Sequence, residues 1–119
     1  MKNILFFVTL IFLASNIFAQ KFVSPIDFVE TEENKTRVIE YIKRQVKEEY
    51  SKIGMDDPLT LRMMEKENLD AFKKLTKAKN TSLLRKVIKT YCEIGLCNYT
   101  VIWMMYQEQN KATQQELEW

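Results

Sequence analysis

Apolar residues recur at helical spacing along most of this chain. Counted from Val38 at about 100° per residue, Tyr41, Val38, Ile42, Ile53, Val46, Ile39 and Tyr50 fall within about half a circumference, the stripe of a helix packed on one side. Thr31-Glu32-Glu33 supplies a cap acceptor and two acids at its start, and Gly54 stands where a helix ending near Ile53 needs its C′ residue. Glu33 with Arg37, Glu40 with Arg44 and Glu48 with Lys52 are acid-first i,i+4 pairs for its wet side.

Asp57-Pro58 opens a second helix, an acceptor followed by the residue whose missing N–H costs nothing there. It extends to about Lys79. Leu61, Met64, Leu69, Ala71, Phe72, Leu75 and Ala78 share one face, with Asn68 inside the apolar arc, and Arg62, Lys66, Asp70, Lys73 and Lys77 share the other. A buried asparagine in such a place is usually a satisfied structural group. Asn80-Thr81-Ser82 then caps a third helix, carried by Leu83, Leu84, Val87, Ile88, Tyr91 and Ile94 as far as Gly95.

Asn98 caps a fourth. From Tyr99 to Tyr106 only Thr100 interrupts the apolar and aromatic residues, so this segment has no polar side and must be covered by the bundle or by a partner. The pattern predicts an all-α, small four-helix bundle-like domain over residues 31–112, with a polar tail over 113–119. A short extended arm containing Pro25 precedes it over residues 20–30.

Upstream the pattern changes. Lys2 is followed by the apolar run Ile4 to Leu13 and by a small residue at Ala19, the layout of a secretory signal peptide over residues 1–19 with cleavage before Gln20. The run is shorter than the roughly 20 residues of a spanning helix, so no transmembrane helix is expected after cleavage; retention as an anchor is the alternative. Removing the leader takes Lys2 with it and leaves 17 basic against 16 acidic side chains, near neutrality. A periplasmic or secreted location follows. It would place Cys92 and Cys97 in an oxidising compartment, where the turn at Gly95 brings them together as a disulfide.

Composition narrows the chemistry. There is no histidine among the 119 residues, which excludes His-based triads and imidazole metal sites. The adjacent acids Asp56-Asp57 and Glu48-Glu49 do not face each other across a substrate, as glycoside hydrolysis requires. The methionine pairs Met63-Met64 and Met104-Met105 point in divergent directions on a helix, which suits gap-filling better than copper ligation. We therefore expect no catalytic residues, no metal site and no cofactor.

Surfaces remain. Lys73, Lys74, Lys77, Lys79, Arg85, Lys86 and Lys89 form an acid-free run that makes the connection between the second and third helices positive, suited to an anionic surface or an acidic partner. Aromatic residues do not interleave with these cations, and export adds to the argument against nucleic acid. Asn34-Lys35-Thr36 is an N-glycosylation pattern, and Glu32 extends it into the acid-extended form that resembles the bacterial acceptor. Tyr99, Trp103, Met104 and Tyr106 are the candidate partner contacts. Together these features favour an exported, non-catalytic helical protein acting by protein contact in the cell envelope, such as an accessory subunit of a surface or secretion assembly, or an inhibitor. The competing reading is a periplasmic or secreted carrier holding a small apolar ligand between the second and fourth helices.

Overall fold

The computed structural model describes residues 21–119. The leader read at residues 1–19 lies outside the described residues. Four helices follow: α1 (Glu32–Ser51), α2 (Pro58–Leu75), α3 (Thr81–Glu93) and α4 (Tyr99–Ala112), with no strand among the described residues.

Every helix starts on the residue whose side chain can satisfy a free N–H. Thr31 accepts from the Asn34 amide at 3.1 Å, Asn80 from Leu83 at 3.1 Å and Asn98 from Val101 at 2.8 Å. Asp57 takes both the Thr60 amide, at 3.0 Å, and the Thr60 hydroxyl, at 2.7 Å. Those bonds, the backbone one foremost, hold the Asp57 carboxyl below its ordinary pKa.

Two turns use glycine for a left-handed residue, Gly54 at φ 71° and Gly95 at φ 81°. In each, the residue after glycine donates back to the last helical turn, Met55 to Tyr50 at 2.9 Å and Leu96 to Tyr91 at 2.8 Å. The second turn also carries the Cys92–Cys97 disulfide, with Cα atoms 4.1 Å apart. α2 stops at Leu75, earlier than its apolar pattern suggests. Thr76 turns its hydroxyl onto the Lys73 carbonyl at 2.6 Å, and Thr76 and Lys77 form a turn that the Ala78 amide closes onto the Leu75 carbonyl at 3.1 Å.

The helices do not form a closed square. α1 packs on α2, α2 on α4 and α4 on α3, which gives the spatial order α1, α2, α4, α3. α2 and α4 run in the same direction, because Asn68 meets Tyr99 at one level and Lys74 meets Trp103 further along both. α3 runs against α4, tied at one end by the disulfide and at the other by the Asn80 amide, which donates to the Tyr106 hydroxyl at 3.1 Å.

The arm fills the gap that this order leaves between α1 and α4. Phe22 lies with its ring centroid 5.6 Å from Tyr41 of α1 and 5.3 Å from Tyr99 of α4, and Phe28 stands edge-on to Phe72 at 4.9 Å. Pro25 is fully buried, and Asp27, at φ 56°, makes the reversal that sends Phe28 back to the core. The arm is thus a wedge with a turn in it, where an extended segment was expected. Four apolar side chains, Phe22, Val23, Ile26 and Phe28, pack inward from it, and their burial contributes on the order of 1–3 kcal/mol each when complete.

Two tyrosine hydroxyls anchor this aromatic layer. Tyr41 donates to the Cys97 carbonyl at 2.6 Å and Tyr99 to the Val23 carbonyl at 2.7 Å, so the disulfide turn and the arm are each tied to a neighbouring helix. Burial, with Glu48 adding to it, pushes the Tyr41 phenol up to about 12. Tyr99 is displaced further in the same direction, by burial first and then by Tyr41.

Asn68 explains why a polar residue sits in the apolar arc of α2. Its side-chain oxygen accepts the Tyr99 and Thr100 amides at 3.1 and 3.4 Å, and its amide donates to the Met64 carbonyl at 2.9 Å. α4 is therefore capped twice, by its own Asn98 and by a residue of α2. On α1 the Glu33–Arg37 pair forms at 3.0 Å, while Glu48 receives Arg44 at 3.2 Å. Both are exposed, so each contributes only tenths of a kcal/mol.

Candidate functional site

α4 divides its apolar residues between two jobs. Tyr99, Ile102 and Tyr106 follow the i, i+3, i+7 spacing of one face and are buried. Two of the four candidate contacts, Tyr99 and Tyr106, therefore belong to the core rather than to a free surface, because α4 is central and packs against both α2 and α3. Trp103 is half-buried and Met104 is exposed, so these two reach the surface.

Trp103 lies in a groove of about 350 Å3 between the end of α2 and the outer part of α4, lined also by Lys74, Lys77, Ala78, Lys79, Tyr106 and Asn110. Its indole stacks against Tyr106 with centroids 6.1 Å apart, and the Lys74 ammonium sits 5.9 Å from the indole centroid. That distance is within the range at which a ring quadrupole attracts a cation. The Tyr106 hydroxyl accepts the Asn80 amide, which fixes the floor of the groove to the start of α3. The result is a groove floored mainly by the half-buried Trp103 indole, with Tyr106 stacked on it and almost wholly buried and with lysines standing around it.

The basic run is distributed rather than gathered. Lys74, Lys77 and Lys79 frame this groove, whereas Lys73 faces the other side of α2, where it lines a second groove with Phe28, Ile39, Leu69 and Phe72. Arg85, Lys86 and Lys89 are exposed on α3 and line neither. Lys77 stands one helical turn beyond Lys74, and Lys79 follows after α2 has ended. Ala78 was read only as part of the apolar face of α2, and Asn110 was not singled out, although it stands seven residues from Trp103 and shares its helix face.

Between α2 and α4 the space assigned to an apolar ligand is occupied by Phe72, Leu75, Tyr99 and Ile102, all buried. The second groove, about 420 Å3, is instead open at the surface between α1 and α2. Of the paired methionines, Met63 is exposed while Met64 receives the Tyr50 hydroxyl, so the two thioethers diverge. The described residues contain no group of three cysteine, aspartate or glutamate side chains placed to hold a metal ion.

The glycosylation candidate Asn34 is half-buried in the first turn of α1, and the amide nitrogen that a glycan would join donates to the Val29 carbonyl at 2.9 Å. Modification there requires that bond to open. Asn98-Tyr99-Thr100 also fits the acceptor pattern, but Asn98 is buried as the cap of α4.

No protein-family model matches the chain, and neither a curated protein nor a solved structure does.

Proposed function

We propose that this is an exported, non-catalytic helical protein that acts by protein contact in the cell envelope, as an accessory subunit of a surface or secretion assembly or as an inhibitor. The observation that carries the reading is the half-exposed indole of Trp103, stacked on Tyr106 beneath Lys74 and flanked by exposed Met104. A half-exposed tryptophan with a charged rim has the make-up of an interface anchor, which a partner would desolvate. The Cys92–Cys97 disulfide supports the compartment, since such bonds persist where thiols are not kept reduced. None of the helices described is long and apolar enough to cross a membrane.

The test is a crosslink and pull-down from the native envelope with the intact protein and Trp103→Ala. Loss of the same partner in the variant, with helicity unchanged, is the expected result. An unchanged set of partners removes the groove as the contact. Salt provides a second reading: if lysines guide the encounter, recovery of the partner falls as ionic strength rises.

A further inference from the structure

The groove at Trp103 has a chemical complement in the chain itself. Beyond α4 the segment Glu116-Leu117-Glu118-Trp119 alternates acid, aliphatic, acid, aromatic, and all four residues are exposed. In an extended segment successive side chains point to opposite sides. Leu117 and Trp119 then form one apolar edge and Glu116 and Glu118 the other. Such a strip fits a groove whose floor is Ala78, Trp103 and Tyr106 and whose rim is Lys74, Lys77 and Lys79.

From these observations we infer that the groove takes the Glu116–Trp119 segment of a second copy of this chain. Leu117 and Trp119 lie on the aromatic floor, and the two glutamates face the lysine rim. The inference rests on the reading of this groove as a protein-contact surface.

The chain's own tail is poorly placed to do this. Thr113, Gln114 and Gln115 still donate to Gln109, Lys111 and Ala112, so the chain continues as helical turns away from Trp103. At about 1.5 Å per residue Glu116 lies some 20 Å along the axis from Trp103, so four extended residues, reaching about 13 Å, meet the Asn110 end of the groove but not its indole. A neighbouring copy has no such restriction. Because groove and tail both lie on the outer half of α4, two copies related by a two-fold axis can exchange tails reciprocally and satisfy both grooves in a closed pair.

The contact is small, so it belongs to the weak, concentration-dependent class. Sedimentation velocity on the purified protein, from about 10 µM to 1 mM at low salt, should show a monomer–dimer equilibrium. Trp119→Ala, Glu116→Lys with Glu118→Lys, and Lys77→Glu with Lys79→Glu should each weaken it by about tenfold or more, as should raising the salt to about 0.5 M. Mixing the last two double variants should restore association, because each tail then faces a groove of opposite charge. All the substituted residues are exposed, and unchanged far-UV circular dichroism verifies the fold.

A protein that is monomeric across this range overturns the inference, as does a dimer indifferent to the tail or association of either charge-reversed variant alone. A concentration-independent change in tryptophan fluorescence on replacing Glu116→Lys with Glu118→Lys, which leaves both tryptophans in place, would show fold-back within one chain and would equally overturn it. The two proposals fail separately. If the protein is monomeric but Trp103→Ala still loses an envelope partner, only the self-association is wrong. If charge exchange restores a dimer but the partners of Trp103→Ala are unchanged, the envelope-partner reading is the one that fails.

Discussion

The double cap on α4 makes Asn68 the most informative position for testing how this fold is held together. Asn68→Ala removes an acceptor that serves the Tyr99 amide at 3.1 Å and, more weakly, the Thr100 amide at 3.4 Å. Asn68 is only 7% exposed, so water cannot readily take its place. Leaving a buried donor unpaired costs about 1–3 kcal/mol. The Thr100 amide adds less, because its bond is longer, and the lost donor to Met64 adds less again, because that carbonyl already serves α2 as a helical acceptor. The expected total is about 2–3 kcal/mol. Asn98→Ala, which removes an ordinary N-cap, should cost only about 1 kcal/mol.

Urea unfolding followed by far-UV circular dichroism measures these differences if the slope is unchanged. In a domain of this size, 2–3 kcal/mol lowers the melting temperature by roughly 10–20 °C. Asn68→Leu fills the volume but still lacks the acceptor, so it should resemble Asn68→Ala. Asn68→Asp keeps acceptors at a helix N-terminus, where negative charge is favoured, and should fall between alanine and wild type. A loss for Asn68→Ala no larger than that of the exposed control Lys66→Ala would refute the reasoning.

Alkaline titration should unfold the protein through its phenols. Tyr41 and Tyr99 have folded pKa values raised above the ordinary 10, so their contribution is complete below about pH 10 and declines as pH rises toward the folded values, by about 1.4 kcal/mol per unit for each tyrosine. Stability that stays flat from pH 10 to 12 would contradict their burial. Replacing Cys92 and Cys97 by serine should cost about 2 kcal/mol, the loop-closure value for so short a span, while the helical content is kept. Tyr99→Phe should cost about 1 kcal/mol and Phe22→Ala about 2 kcal/mol, and limited proteolysis should then cleave the arm faster, because both hold it against α1 and α4. Their double variant should lose less than the sum of the two.

Much of the local structure was legible because it depends on neighbours in sequence. Thr31, Asp57, Asn80 and Asn98 cap the helices they precede, and Gly54 and Gly95 turn left-handed where the pattern ends. The close spacing of Cys92 and Cys97 around Gly95 confined their pairing to one hairpin. Ile53 and Ile94 fit their helical stripes but are exposed, because each falls in a terminal turn rather than within the helix body. The end of α2 was misplaced for a related reason: Ala78 continues the apolar period although the backbone has already turned at Thr76.

What the sequence determined by itself was therefore the number of helices among the described residues, their apolar faces and their starts, since each is a contest between a few adjacent dihedrals and side chains. Tertiary structure decided which faces meet. It placed α4 between α2 and α3, and so sent Tyr99 and Tyr106 inward while leaving Trp103 half in water. It also divided one run of lysines among separate surfaces. The arm's role as a wedge and the task of Asn68 depend on partners many residues distant, at Val23 with Tyr99 and at Asn68 with Tyr99. Such contacts form only when the chain has closed on itself, because their free energy must offset the entropy of bringing distant segments together. No local period along the chain reports that balance.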